Sequence, residues 1–315
     1  MQYGSTLRRI EWKSAGLILI CYAAWVSITV WHQVLPFWLL IPVLAVILSF
    51  HNSLQHEVIH YHPTPWQGFN ESLVHWPLAL YLPFIRYRDT HRAHHVYENI
   101  TLPADDPESY YFSPADWERL APWQQRLYTL NNALLGRLIT GPFLAGSRFL
   151  SAEFSAINAG DKKVIHAWKW HLPLLVMVLS WLVFWQFPLW VYLLGVYFSM
   201  SLTAIRTFAE HQAAAEPTQR TLVVESRGFF SFLFLNNSLH SVHHKYPGLA
   251  WYQLRLVYRR ERETILQENG GYVLPNYTTL FRRYLFTIKE PVVYPLVSHK
   301  RADAPADSGI VLSAG

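Results

Sequence analysis

The sequence predicts an all-α integral membrane protein: four transmembrane helices in two hairpins, with a cytosolic helical cap on the side of both termini. Two observations carry this expectation. In a chain of 315 residues, 51% hydrophobic and 16% aromatic, no Asp, Glu, Lys or Arg occurs from Ser14 to His56 or from Trp170 to Ile205. Each run is long enough for two spans of roughly 17–25 apolar residues. The basic residues Arg8, Arg9, Lys13, Arg86, Arg88, Arg92, Lys162, Lys163, Lys169 and Arg206 all fall opposite the turns that divide the runs, and the turns carry no charge. By the positive-inside rule the basic side is cytoplasmic.

The first span is expected over Ala15–Trp31. The cations before it resemble the start of a signal peptide, but the run is long and has no small-residue cleavage site, so it reads as a retained helix. A turn at His32-Gln33 leads to the second span, Val34–Phe50, and Trp31 and Trp38 flank that turn as interfacial anchors. Residues 57–169 form the first part of the cap. The apolar patch Leu73–Ile85 is too short and too broken by Pro for a span, so it is expected to be interfacial or re-entrant. The acidic loop Asp105-Asp106-Pro107-Glu108 follows, then helices to about Ala159. The third and fourth spans, Trp170–Trp185 and Leu189–Ile205, meet at Gln186-Phe187-Pro188 between Trp185 and Trp190. A second cytosolic stretch contains Phe229–Leu235, Leu254–Arg262 and Phe281–Tyr284. Residues 1–300 read as one membrane-embedded domain, and 301–315, rich in Ala, Asp and Ser, as a disordered tail.

The formal charge of +5 fits attraction to anionic headgroups, and no motif points to nucleic acid. Cys21, the sole cysteine, lies inside the first span, which excludes an intrachain disulfide and a cysteine metal cage.

Nine of the sixteen histidines fall into four groups: His56 and His60; His91, His94 and His95; His211; and His240, His243 and His244. Two groups share the spacing H-x-x-H-H, expected about 0.04 times by chance at this histidine frequency. Spacings of three and four put side chains on one helix face, and the topology puts all nine on one side of the membrane. Read alone, HEVIH at 56–60 is the H-E-x-x-H signature of zinc metalloproteases. Nine neutral nitrogens, however, exceed the three or four ligands of one tetrahedral zinc and suit two five- or six-coordinate metals, with imidazole suiting iron. Metal-bound imidazoles need acceptors for their second ring nitrogen, and Glu57, Asp89 and Glu210 beside the groups are candidates. His51 is about 140° around the helix from His56, and His62 is off the face of His60. His32 lies at the opposite membrane surface and His299 near the tail; His75, His166 and His171 stand alone. A haem held between spans would need histidines inside the helices, and a transporter would favour ionisable residues at mid-membrane; neither pattern is present.

HEVIH at 56–60, HRAHH at 91–95 and HSVHH at 240–244 resemble the three histidine boxes of the membrane fatty acid desaturase and hydroxylase superfamily, over roughly residues 30–260. HHKYPGLAWYQL at 243–254 is similar to the Pro-aromatic continuation of its third box. The resemblance implies that His211, in RTFAEH after the fourth span, is a further metal ligand. It also implies a di-iron site in the cap, O2 as co-substrate, and an external electron donor of ferredoxin or cytochrome type with its reductase; the chain has no G-x-G-x-x-G motif of its own. The sequence departs from the acyl-CoA members at Thr207, where they carry an Asn four residues before the extra histidine; Asn236 and Asn237 are the candidate substitutes. The H-x3-H first box is closer to acyl-lipid desaturases and carotenoid-modifying members. The expected function is therefore acyl-lipid desaturation at the cytoplasmic side of a bacterial-type inner membrane. Hydroxylation or carotenoid ketolation is the near alternative, and a membrane zinc metalloprotease the distant one.

Overall fold

The computed structural model describes residues 10–296 except residue 104; Arg8, Arg9, His299 and the 301–315 tail lie outside the described residues. Four helices are long and apolar enough to cross a membrane: α1 (Trp12–Val30), α2 (Phe37–Ile59), and, after the cap helices, α8 (Lys162–Phe184) and α9 (Leu189–Glu210). They run longer than the uncharged stretches because polar residues extend them on the side away from the turns. Asp161 caps α8, accepting from Lys163 N–H at 2.8 Å and Val164 N–H at 3.2 Å, which satisfies donors that a helix start otherwise leaves open. The central pair is α2 and α9. Gly195 makes their approach possible, since a Cβ there would meet Leu44 Cδ2 at 2.5 Å.

Between the hairpins lie α3 (Gln67–Val74), α4 (Phe84–His94), α5 (Pro114–Glu118), α6 (Pro122–Asn131) and α7 (Leu134–Asn158). After α9 come β1 (Val223–Val224), α10 (Phe229–Leu233), α11 (His240–Lys245), α12 (Trp251–Glu268), β2 (Val273–Leu274) and α13 (Tyr277–Tyr284), the two short strands pairing in parallel. Among the described residues this makes thirteen α-helices.

The apolar patch between α3 and α4 is re-entrant. Leu78, 1% exposed, belongs to the cluster of Trp25, Ile28, Leu40, Leu182, Val191 and Tyr192 at the turn end of the four helices. Non-helical backbone at that depth must be satisfied by protein. Tyr192 Oη donates to Leu78 C=O at 2.7 Å, His171 Nε2 to Leu80 C=O at 2.9 Å, and Gln55 Nε2 to Val74 C=O at 3.0 Å.

The long cap helix α7 exposes Leu135, Ile139, Phe143, Leu150, Phe154 and Ile157. These recur at intervals of three, four and seven residues and form one apolar stripe. The other face meets α9, where Ser201 Oγ donates to Leu138 C=O at 2.8 Å. Chain from α13 to Tyr294 folds back over the cap: Phe112 N–H donates to Val292 C=O and Tyr294 N–H to Phe112 C=O, both at 3.0 Å.

Candidate metal centre

The last turns of α2 and α4, the end of α9 and the whole of α11 converge beyond the turn-distal ends of the spans. All nine grouped histidines meet there, in two adjacent sets. One ligand atom each from His56, His60, His91 and His243 lies within 4.8 Å of the others, and the same holds for His94, His211, His240 and His244. His95 joins the first set, its Nε2 3.1 Å from both His91 Nε2 and His243 Nε2.

The outer ring nitrogens fix the tautomers. His91 Nδ1 is 3.0 Å from Glu108 Oε1, His94 Nδ1 2.8 Å from Asp106 Oδ1, His240 Nδ1 3.1 Å from Asn237 Oδ1, and His211 Nδ1 3.3 Å from the Arg220 carbonyl. A ring that donates at Nδ1 keeps a lone pair at Nε2. Yet His211 Nε2 stands 3.1 Å from His94 Nε2 and 2.9 Å from His240 Nε2, and His244 Nε2 stands 3.0 Å from His240 Nε2. In the first set His60 Nε2 and His91 Nε2 are 3.0 Å apart, and His56 Nε2 is buried without a hydrogen-bond partner. Where both rings donate at Nδ1, as for His94, His211 and His240, the facing Nε2 lone pairs repel and are accommodated by a cation between them. With bonds of about 2.1 Å, neighbouring ligands lie about 3.0 Å apart around an octahedral metal and about 3.4 Å apart around a tetrahedral one. The spacings of 2.9–3.1 Å lie close to these values, so each set could hold a metal.

Electrostatics keep most of these rings neutral. Burial holds His60, His211, His240, His243 and His244 well below the usual imidazole value, with His95 down to about 2. His94 is the exception: burial works in the same direction, but Glu108 and Asp106 outweigh it and raise the ring to about 9.

The candidate outer groups divide. Asn237 Oδ1 faces His240, and Asn237 Nδ2 donates to Glu210 Oε1 at 3.0 Å, which itself lies 3.4 Å from His240 Nδ1. Arg206, expected among the basic residues at the membrane surface, is instead 6% exposed, with Nε 3.1 Å from Glu210 Oε1. Glu57, Asp89 and Asn236 are placed elsewhere. Glu57 is about 100° around α2 from His56, accepting from Trp251 N–H at 2.9 Å and clustering with Glu11 and His62. Asp89, half-buried, accepts from Arg88 Nε at 2.8 Å. Asn236 joins Trp251 C=O to Arg255, at 3.0 Å each. The acceptors that sequence reasoning missed are Asp106 and Glu108, on the acidic loop after the second histidine triplet. The available signal was a concentrated acidic loop just past a histidine group. His51 bonds Tyr22 Oη at 3.1 Å and His62 bonds Glu11 at 2.9 Å, both away from the two sets.

Spanning helices that carry a cluster of buried imidazoles at one end define a membrane protein with a histidine cluster that could hold metal. Residues 29–275 match the fatty acid desaturase family, and the chain belongs to that family. It is accordingly a membrane protein of desaturase-like oxidoreductase type, in a family that is typically iron-dependent. A comparison with curated proteins finds no match.

Proposed function

We propose that this protein is an O2-dependent di-iron oxidoreductase that introduces a double bond into the acyl chain of a membrane lipid. The observation that carries the reading is the pair of adjacent imidazole sets with nitrogen spacings of 2.9–3.1 Å. His56, His60, His91, His95 and His243 would hold one iron, and His94, His211, His240 and His244 the other. When bound, the metals supply activation of O2, which no side chain can provide.

The chain's own residues do the rest. Asp106, Glu108, Asn237 and, through Asn237, Glu210 hold Nδ1 protons in place and leave Nε2 free for metal. Just below His56, chain from α2, α9 and the re-entrant segment lines a narrow cavity that includes Leu48, Asn52, Leu78, Ser199 and Met200. In the overall reaction the substrate loses two hydrogens, and O2 with two electrons and two protons leaves as two waters. The electrons come from an external ferredoxin- or cytochrome-type donor. The proposed setting is a bacterial-type inner membrane with the metal centre on the cytoplasmic side.

The second reading is a hydroxylase or carotenoid ketolase of the same superfamily, which the same histidine sets would serve. A zinc protease is disfavoured by Glu57, whose carboxylate points to Trp251 and away from the histidines.

Mass spectrometry of host lipids and carotenoids, with and without expression, tests both readings. Loss of two hydrogens from acyl chains is expected. Gain of oxygen transfers the assignment to the alternative, and unchanged lipids and carotenoids together with zinc-dependent proteolysis overturn both.

A further inference from the structure

Lys289 and Glu290 follow α13, beyond the residues that match the family. The Lys289 side chain is 6% exposed. Its ammonium donates to the His211 carbonyl and, at 3.0 Å, to the Phe208 carbonyl in the last turn of α9. Carbonyls at a helix end lack intrahelical partners and carry the negative end of the dipole, so a cation is favoured there. Tyr110 Oη donates to the same His211 carbonyl at 3.1 Å. Glu290 Oε2 accepts from Ala213 N–H at 3.0 Å and from Tyr111 Oη, while Glu290 Oε1 lies 3.3 Å from Lys289 Nζ.

Two consecutive side chains thus clamp the backbone on either side of the His211 ring. That residue has already left the helix, with φ −129° and ψ 155°, so no helical hydrogen-bond ladder orients it. The clamp is itself anchored: Lys289 N–H donates to Asn132 C=O at 2.9 Å, Asn132 Nδ2 to Glu290 C=O at 3.0 Å, and Leu135 N–H to Leu285 C=O at 2.9 Å. Among the described residues, no hydrogen bond of either side chain reaches His56, His60, His91, His95 or His243. A buried ion pair is poorly explained by stability alone, because its desolvation offsets its attraction. Holding one ligand in register gives this pair a local purpose.

We propose that Lys289 and Glu290 are positioning residues for His211, and that this C-terminal strap is required for the second histidine set, but not the first, to hold its metal. The inference rests on the di-iron reading above.

The test is anaerobic titration of ferrous ion into metal-free full-length protein, comparing wild type with Lys289→Met, Lys289→Arg and Glu290→Gln. In Lys289→Met, one ion is expected to bind as in wild type and the other about 10–100-fold more weakly, as for loss of other outer contacts. Lys289→Arg keeps a cationic donor and should recover most of the loss. Two ions bound by Lys289→Met with wild-type affinity overturn the proposal. If Lys289→Met loses both ions together, the milder Glu290→Gln decides: selective weakening of one ion sustains the assignment, and equal or no weakening overturns it. A wild-type chain that takes up fewer than two ions instead overturns the di-iron reading.

Discussion

Replacing Asp106 or Glu108 by Ala leaves the Nδ1–H of His94 or His91 without its acceptor, which frees the ring to turn and lowers its basicity. Either change should weaken metal retention about 10–100-fold, read as metal per chain after purification. Asp89→Ala, whose carboxylate meets only Arg88 among the described side chains, should retain the wild-type content; a loss equal to that of Asp106→Ala would place Asp89 at the site. The contrast shows what a sequence can convey about a single residue. The histidines were legible because spacings of three and four fix a helix face without knowledge of the rest of the fold. Asp89 sits two residues before the second box in the chain yet points away, whereas Asp106 reaches His94 from 12 residues later. That contact depends on the path of an irregular loop, and no local periodicity encodes it.

Among the elements, the spans were legible from charge-free length, and their site-side ends were not. α2 continues to Ile59 and α9 to Glu210, because the polar residues there are paired inside the protein and need no water. The depth of the re-entrant segment was also hidden, since burial of Leu78 depends on partners from both hairpins. Tyr192→Phe removes the donor to Leu78 C=O while leaving the ring. With that carbonyl stranded in a low-dielectric interior, the expected destabilisation is about 1–3 kcal/mol, measured by thermal unfolding in detergent; an unchanged midpoint would mean that the carbonyl finds another donor. Gly195→Val tests the α2–α9 contact in a different way. The added side chain has no room beside Leu44, and overpacking of this kind costs about 1–3 kcal/mol. Because α2 carries His56 and α9 leads to His211, metal content should fall together with stability. Normal metal content in a destabilised variant would show that the site tolerates separation of the two helices.

For the whole molecule, the proposed orientation places both hairpin turns outside. Gln33 and Gln186 are exposed at those turns, and Gln267 is exposed on α12 at the opposite end. In a Cys21→Ser background, cysteines at positions 33 and 186 should react with an impermeant reagent applied to the outer face of intact cells, and a cysteine at 267 should not. The reverse pattern would put the metal centre in the wrong compartment for a cytosolic electron donor. The exposed apolar stripe on α7 fits the same arrangement, since a helix beside α9 can present that face to lipid while its other face supports the cap.

The buried re-entrant segment also constrains biogenesis. Leu78 leaves the ribosome 114 residues before Tyr192, a delay of about 6–23 s at roughly 5–20 residues per second. His171, the partner of the Leu80 carbonyl, is likewise synthesised later. During that interval the first hairpin can enter the bilayer, but the Leu78 and Leu80 carbonyls lack their donors Tyr192 and His171. The segment that carries them must therefore wait in the aqueous boundary or within the insertion machinery and move inward only when the second hairpin arrives. Closure of the second helical pair around this segment is then the event that completes the membrane bundle, and chains stalled before α8 should remain open to protease between α3 and α4.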